Sequence, residues 1–149
     1  MTSKLSDYIS FKNGKKRPQN KGKYPIYGGN GILDYCDNYN SNAGIIIGRV
    51  GAYCGNVYLS PQPFWASDNA IYAINKENSD LTFDYYHLKF LKLNCRHIGT
   101  SQPLLTQEIL NNIEYEFPNL NVQVKIATIL KSLDNKIMTN NQINKNLYI

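Results

Sequence analysis

The sequence predicts an α+β protein, with a β-rich domain of mixed or antiparallel sheet followed by one long C-terminal helix. Three observations carry this prediction. Short β-branched or alternating runs recur between glycine and proline punctuation through residues 1–118. One segment, Leu81–Leu93, shows helical spacing without Gly or Pro. From Asn121 onward the pattern changes to apolar steps of four and three that run to the end of the chain. The expected division is a domain over residues 1–118 and an arm over residues 119–149, with Pro118 at the junction.

A chain of 149 residues fits one domain with an appendage. Its 42% hydrophobic content supplies a core, and 18% charge is too little for a disordered tail. Twelve tyrosines against five Phe and one Trp suit β structure and binding surfaces, because Tyr joins a large contact area to a polar tip. The net charge of +5 is unevenly placed. Lys4, Lys12, Lys15, Lys16, Arg17, Lys21 and Lys23 are seven of the sixteen cations, and Asp7 is their one acidic neighbour in the first 23 residues. Charge alone leaves two readings open: a solvated face, or a contact with an anionic partner such as a phosphate backbone. Cys36, Cys54 and Cys95 are odd in number and widely spaced, and no secretory segment is evident. Free thiols in a soluble, cytoplasmic protein are expected. The longest apolar run, Ala43–Ile47, is too short to cross a membrane.

Taken in order, Leu5–Ile9 is a short element, and the basic loop Lys12–Lys23 follows with Gly14, Pro18 and Gly22. Tyr24–Tyr27 starts a strand that Gly28-Gly29-Asn30-Gly31 stops. These glycines lack the spacing of a dinucleotide or P-loop cradle, so a turn needing positive φ explains them. Ala43–Gly48 is a buried strand by its continuous β-branched run. In Arg49–Leu59 glycines alternate with strand formers, a sign of bulges or close backbone approach. Arg49 reads first as an ion-paired or rim residue and second as a base-edge or phosphate donor. After the turn Pro61–Phe64, a strand places Ala70, Tyr72 and Ile74 on one face, and Trp65 is expected in the core.

A helix is expected from Thr82 to Leu93, with His87 at its surface or at the core edge. The polar loop Asn94–Pro103 holds Arg96, His97, Thr100, Ser101 and Gln102. Thr106 should cap a short turn, and Ile113–Phe117 alternates as a half-buried strand. In the tail, Val122, Ile126, Ile129, Leu133, Ile137, Asn140, Asn144 and Leu147 form a heptad seam, with Lys136 as an alternative to Ile137. About 27 residues of helix would reach about 40 Å, longer than a small domain needs. Asn at seam positions specifies register, so the arm reads as a coiled coil.

No cofactor loop, metal-ligand spacing, serine elbow or acid–base constellation stands out. A non-catalytic binding module without a cofactor is the expected class.

Four ordered blocks carry a resemblance: YPIYGGNGI at Tyr24–Ile32, IIGRVGAYCG at Ile46–Gly55, FWASDNA at Phe64–Ala70 and GTSQP at Gly99–Pro103. They resemble the target recognition domain of type I DNA restriction–modification specificity subunits. Phe117-Pro118-Asn119-Leu120 with Gln123, Ile126, Ala127, Ile129, Leu130, Leu133, Asp134 and Ile137 resembles the spacer helix of that family. Members usually carry two of each, so this chain resembles a half subunit; Asn119 stands where a second proline is common.

The resemblance implies that the domain reads one half of a split double-stranded DNA target. It also implies an antiparallel coiled coil between spacer helices, here a homodimer. Methyltransferase subunits and motor–nuclease subunits would then supply the S-adenosylmethionine and ATP chemistry. Phosphate contacts are expected from Lys12, Lys15, Lys16, Arg17, Lys21 and Lys23, with Lys89 and Lys92 as further candidates. Base-edge contacts are expected from Asn30, Arg49, Arg96, Ser101 and Gln102, with Tyr27 and Tyr53 against sugars or thymine methyls. The dimer seam would be Val122, Ile126, Ile129, Leu133, Ile137, Asn140, Asn144 and Leu147. Two competing readings are a coiled-coil interaction module without a DNA role and the recognition fragment of a fused restriction–methylation enzyme.

Overall fold

In the computed structural model, which describes residues 1–148, the chain opens with β1 (Ser3–Lys4), a 3-10 turn and β2 (Ile9–Asn13). The hairpin of β3 (Tyr24–Gly28) and β4 (Gly31–Cys36) follows the basic loop. Next come β5 (Gly44–Gly48), β6 (Val57–Ser60), β7 (Trp65–Ala66) and β8 (Ala70–Asn75). Helices α1 (Leu81–Phe90) and α2 (Gln107–Asn111), the short β9 (Glu114–Tyr115) and α3 (Leu120–Leu147) complete the chain. Ile149, the last residue of the expected arm, lies outside the described residues.

The fold is α+β, as the sequence predicts. An antiparallel four-stranded sheet has the order β2-β8-β5-β6, and a three-stranded sheet has the order β4-β3-β7. Within the latter, β3 runs antiparallel to β4 and parallel to β7. β1 and β9 pair antiparallel and tie the N-terminus to the segment before the arm.

Alternation along β5 and β8 sorts the core into two clusters. Ile45 and Ile47 of β5 and Ile71 and Ala73 of β8 pack with Leu88, Leu105 and Leu110 on the helical side. Ile46, Ala70 and Tyr72 point the other way, to Tyr27, Phe64 and Ala66 beneath the three-stranded sheet. The four-stranded sheet is therefore covered on both faces. That is why all five residues of β5 are buried and why its sequence is a continuous apolar run. Each buried isoleucine of this kind contributes about 1.5–3 kcal/mol. At the β3–β4 turn Gly31 has φ +90°, the left-handed backbone expected of the glycine cluster.

Four expectations change. Trp65 is half-buried at the edge, its indole Nε1 donating to the Lys15 carbonyl at 3.1 Å. Phe64 takes the core position instead, fully buried with ring centroids 5.7 Å from Tyr27 and 6.2 Å from Tyr72. Side-chain size suggested Trp65, but strand alternation turns Phe64 inward. The helix ends at Phe90 rather than Leu93, because Lys92 adopts φ 49° and a 3-10 turn follows. The strand expected over Ile113–Phe117 pairs only at Glu114–Tyr115, since β1 offers two residues. Phe117 instead stacks on Tyr8, with centroids 3.8 Å apart. His87 is buried rather than at the surface.

Phe64→Ala is expected to lower the unfolding free energy by about 3–5 kcal/mol, and Trp65→Ala by clearly less. Urea denaturation of the two variants checks this, and equal losses would return Trp65 to the core.

Candidate nucleic-acid interface

Strand register decides which loops meet. Gly48 pairs with Ala70 and Asn13 with Ile71, so the ends of β5 and β2 and the start of β8 share one edge. The parallel β3–β7 pair brings Gly28 to the same edge, where the Ser67 amide donates to the Tyr27 carbonyl at 2.9 Å. Four connections leave this rim: the basic loop, the Gly28–Gly31 turn, the turn after Gly48 and the turn Ser67–Asn69.

Close backbone approach fastens these loops together. A Cβ at Gly48 would stand 2.1 Å from the Tyr53 carbonyl oxygen, so only glycine fits there. A Cβ at Gly29 would stand 3.3 Å from Tyr53 Cβ. The Arg49 amide donates to the Asn69 carbonyl at 3.0 Å, and Arg49 Nε donates to the Asp68 carbonyl at 3.2 Å. The Leu105 amide donates to the Arg49 carbonyl at 2.9 Å, and the Gly51 amide to the Pro103 carbonyl at 3.0 Å. Ile98 and Leu104 exchange two backbone bonds of 2.9 Å around Gly99 at φ +86°, leaving Thr100, Ser101 and Gln102 exposed in a loop whose base is bonded to the Arg49–Gly51 backbone. The root of the basic loop joins the same rim through the Gly14 amide to the Ala70 carbonyl and the Lys15 amide to the Ala66 carbonyl.

The rim thus gathers Lys15, Asn30, Arg49, Ser101 and Gln102, with Lys12 exposed near the end of β2. Lys16, Arg17 and Asp34 line one cleft of the basic loop. Lys21 is ion-paired with Asp34, and this bond, helped by Arg17, holds the Asp34 carboxyl below its usual range. Lys23 lies over the Tyr24 ring at 5.1 Å. Arg96 is exposed, but its Nε donates to the Leu91 carbonyl at the end of α1, a bond that stabilises the helix terminus. Asn30 Oδ1 lies 3.4 Å from the Tyr58 hydroxyl.

Of the two tyrosines assigned to sugar or methyl contacts, Tyr53 is 48% exposed at the rim. Tyr27 is buried under Phe64, because its strand position faces inward. Lys89 and Lys92 sit apart, lining a groove with Asn56 and Tyr58. The rim residues Asp68 and Asn69, which hold Arg49, carried no sequence signal of that role beyond their place in FWASDNA.

The arm leaves from the opposite end of β8. Asn119 caps α3 by accepting from the Val122 amide at 3.1 Å. Gln123, Ala127, Leu130 and Asp134 face the domain, and the Tyr86 hydroxyl donates to Asp134 Oδ2 at 2.6 Å. Every residue from Lys131 to Tyr148 is exposed, including Leu133, Ile137, Asn140, Asn144 and Leu147 of the seam. Val122, Ile126 and Ile129 are exposed too. An apolar groove bordered by Phe90, Ile126 and Leu130 continues the seam onto α1.

The family profile described as "Type I restriction modification DNA specificity domain" matches residues 1–148. The chain belongs to this family. It is 29% identical over 135 residues to the type I restriction enzyme EcoprrI specificity subunit of Escherichia coli, covering 90% of this chain and 34% of that one. Its fold matches the type I restriction–modification S subunit of M. genitalium with a TM-score of 0.79 at 22% identity, over 93% of this chain and 40% of that one. The HsdS subunit of Thermoanaerobacter tengcongensis gives a TM-score of 0.70 at 14% identity, over 93% and 38%. The chain therefore spans between a third and two-fifths of the length of these relatives. Among the described residues no helix is long and apolar enough to cross a membrane.

The arm root of this specificity domain is a buried polar cluster. Gln123 Nε2 donates to the Pro118 carbonyl at 2.9 Å and the Asn78 carbonyl at 3.3 Å, and its Oε1 accepts from the Asp80 amide at 3.0 Å. Asp84 and His87 lie close by on α1, both buried. Burial, reinforced by Asp80 and opposed by the Ser79 hydrogen bond, pushes the Asp84 carboxyl up to about 7. Burial alone takes His87 down to about 4, and neither ring nitrogen has a partner.

Asp84 has a folded pKa above its ordinary 3.8, so its contribution to stability is present at low pH and is lost as pH rises to about 7. His87 has a folded pKa below its ordinary 6.5, so its contribution is present above that value and is lost as pH falls to about 4. The two oppose each other in between. Replacing Asp84 by Asn leaves the His87 slope alone, so acidification from pH 6.5 to 4.5 should cost the variant more than the native chain. The difference should reach roughly 1 kcal/mol per pH unit at most. Urea unfolding at the two pH values measures it, and identical pH dependence would contradict the assignment.

Proposed function

We propose that this chain reads one half of a split double-stranded DNA target with its rim and sets the distance to the other half with its arm. The convergence of the basic loop, Arg49 and Thr100–Gln102 on one edge carries this reading, in a chain whose residues 1–148 match the specificity-domain profile. Residues 1–118 form the recognition domain and residues 119–149 the spacer arm.

Lys12, Lys15, Lys16, Arg17 and Lys23 supply phosphate contacts, and Lys21 contributes less because Asp34 pairs with it. Asn30, Arg49, Ser101 and Gln102 meet base edges. Arg96 reaches DNA only if it gives up the Leu91 carbonyl.

The arm pairs antiparallel with a second copy through Val122, Ile126, Ile129, Leu133, Ile137, Asn140, Asn144 and Leu147. Their exposure on a 28-residue helix supports this, because so long an apolar stripe facing water needs a partner. Two-fold pairing implies a palindromic split site. A helix of this length measures about 42 Å, close to the 34–36 Å of one DNA turn. The chain itself is non-catalytic in this reading. Methyltransferase subunits dock on the paired arms and supply the chemistry, and motor–nuclease subunits join them.

Duplex binding should weaken by orders of magnitude between 50 and 200 mM salt. The triple variant Lys15→Ala, Lys16→Ala, Arg17→Ala should reduce the slope of log affinity against log salt by about 2–3. Fluorescence anisotropy with a labelled duplex measures both, and an affinity indifferent to salt would remove the phosphate contacts. For the arm, Ile126→Asp with Leu133→Asp should halve the mass seen by light scattering. An unchanged dimer mass would place the interface elsewhere.

A further inference from the structure

The buried cluster at the arm root has a hydrogen-counting problem that points to a proton. Asp84 is fully buried; its Oδ1 lies 2.5 Å from Ser79 Oγ, and its Oδ2 has no partner. The same Ser79 Oγ lies 3.2 Å from Gln123 Oε1. Ser79 has one hydroxyl hydrogen, and a carboxylate and an amide oxygen are both acceptors. One hydrogen cannot serve both. We propose that Asp84 is the positioning residue of the arm, holding α3 in a fixed pose while its carboxyl carries a proton and releasing it when that proton leaves.

In the protonated form the Asp84 O–H donates to Ser79 Oγ, and the Ser79 hydroxyl donates to Gln123 Oε1, which also accepts from the Asp80 amide. With Gln123 Nε2 donating to the Asn78 and Pro118 carbonyls, every polar atom of that side chain is matched. Asn78 belongs to the loop before α1 and Pro118 to the junction, so Gln123 joins the domain to the root of the rod. When the proton passes to solvent, the Ser79 hydrogen turns to the carboxylate and Gln123 Oε1 keeps the Asp80 amide alone.

Among the described residues no cation pairs with the buried charge left behind. The groups that act on the Asp84 carboxyl are Ser79, from the loop before α1, and Asp80, the N-cap residue of that helix, and Ser79 in turn meets the Gln123 oxygen of α3. The ion pairs among the described residues, Met1–Glu116 and Lys21–Asp34, lie elsewhere. An uncompensated buried carboxylate draws in water or shifts its neighbours. A rod of about 42 Å converts a tilt of about 5° at its root into a displacement of about 4 Å at its tip.

The link from tilt to half-site spacing rests on the function proposed above, whereas the tilt itself is a property of one chain. Its test therefore uses neither DNA nor a partner subunit. Spin labels go on Cys95, which is exposed, and on Asn141→Cys, with Cys36 and Cys54 buried. Dilution with unlabelled chain isolates the intrachain distance, which pulsed electron paramagnetic resonance reads at pH 5.5 and 8.5.

The native chain should give a narrow distribution at pH 5.5 and one that broadens or shifts by a few ångström at pH 8.5. Asp84→Asn keeps an N–H donor toward Ser79 without a titrating proton, so its distribution should stay narrow at both values. Ser79→Ala should be broad at both. A native distribution that does not change with pH overturns the proposal, and so does the same pH change in Asp84→Asn.

Discussion

Both-face burial of β5 and β8 is the constraint on which the rest of the structure depends. A sheet with helices on one side and a second sheet on the other has no freedom of register, because a slip of one residue would exchange the two core clusters. That fixed register has consequences at both ends of β8. At Ala70 it aligns the ends of β2, β5 and β3, so four loops leave together and form the rim. At Asn75 it delivers the chain to Ser79 and Asp80, where Gln123 fastens the arm. In the proposed function, the reading surface and the spacing element sit at two ends of one strand.

This layout separates what can vary from what cannot. The rim is held by backbone bonds: Arg49 to Asn69, Leu105 to Arg49, Gly51 to Pro103 and Lys15 to Ala66. Side chains at Lys16, Ser101 and Gln102 point outward from that frame and do little for the core. Such positions can change their chemistry without changing the fold, as a family of sequence readers requires. The arm root is the reverse case, because its polar side chains are buried and mutually dependent, and loss of one leaves another unsatisfied.

Much of this was legible in the sequence where a local pattern decides the outcome. The GIIIG run gave β5, the glycine cluster gave the turn at Gly31, Thr106 gave the cap of α2, and steps of four and three gave α3. The illegible parts depend on partners far along the chain. Gln123 belongs to the block that resembles the spacer helix, but its role is not readable until Ser79, 44 positions away, is brought against it. Trp65 outranks Phe64 by size, and only the direction of a two-residue strand reverses them. Arg96 and Lys21 read as free cations, yet each has a local partner that sequence spacing does not reveal. Convergence of Arg49 with Thr100–Gln102 likewise follows from register.

In the proposed function one rim reads a half-site and paired arms set the gap. Co-expression with a type I methyltransferase subunit, followed by genome-wide mapping of modified bases, tests it most directly. Modification within a split palindrome whose two halves are separated by a constant gap is expected. Modification with no recurring sequence, or at a continuous asymmetric site, would contradict it.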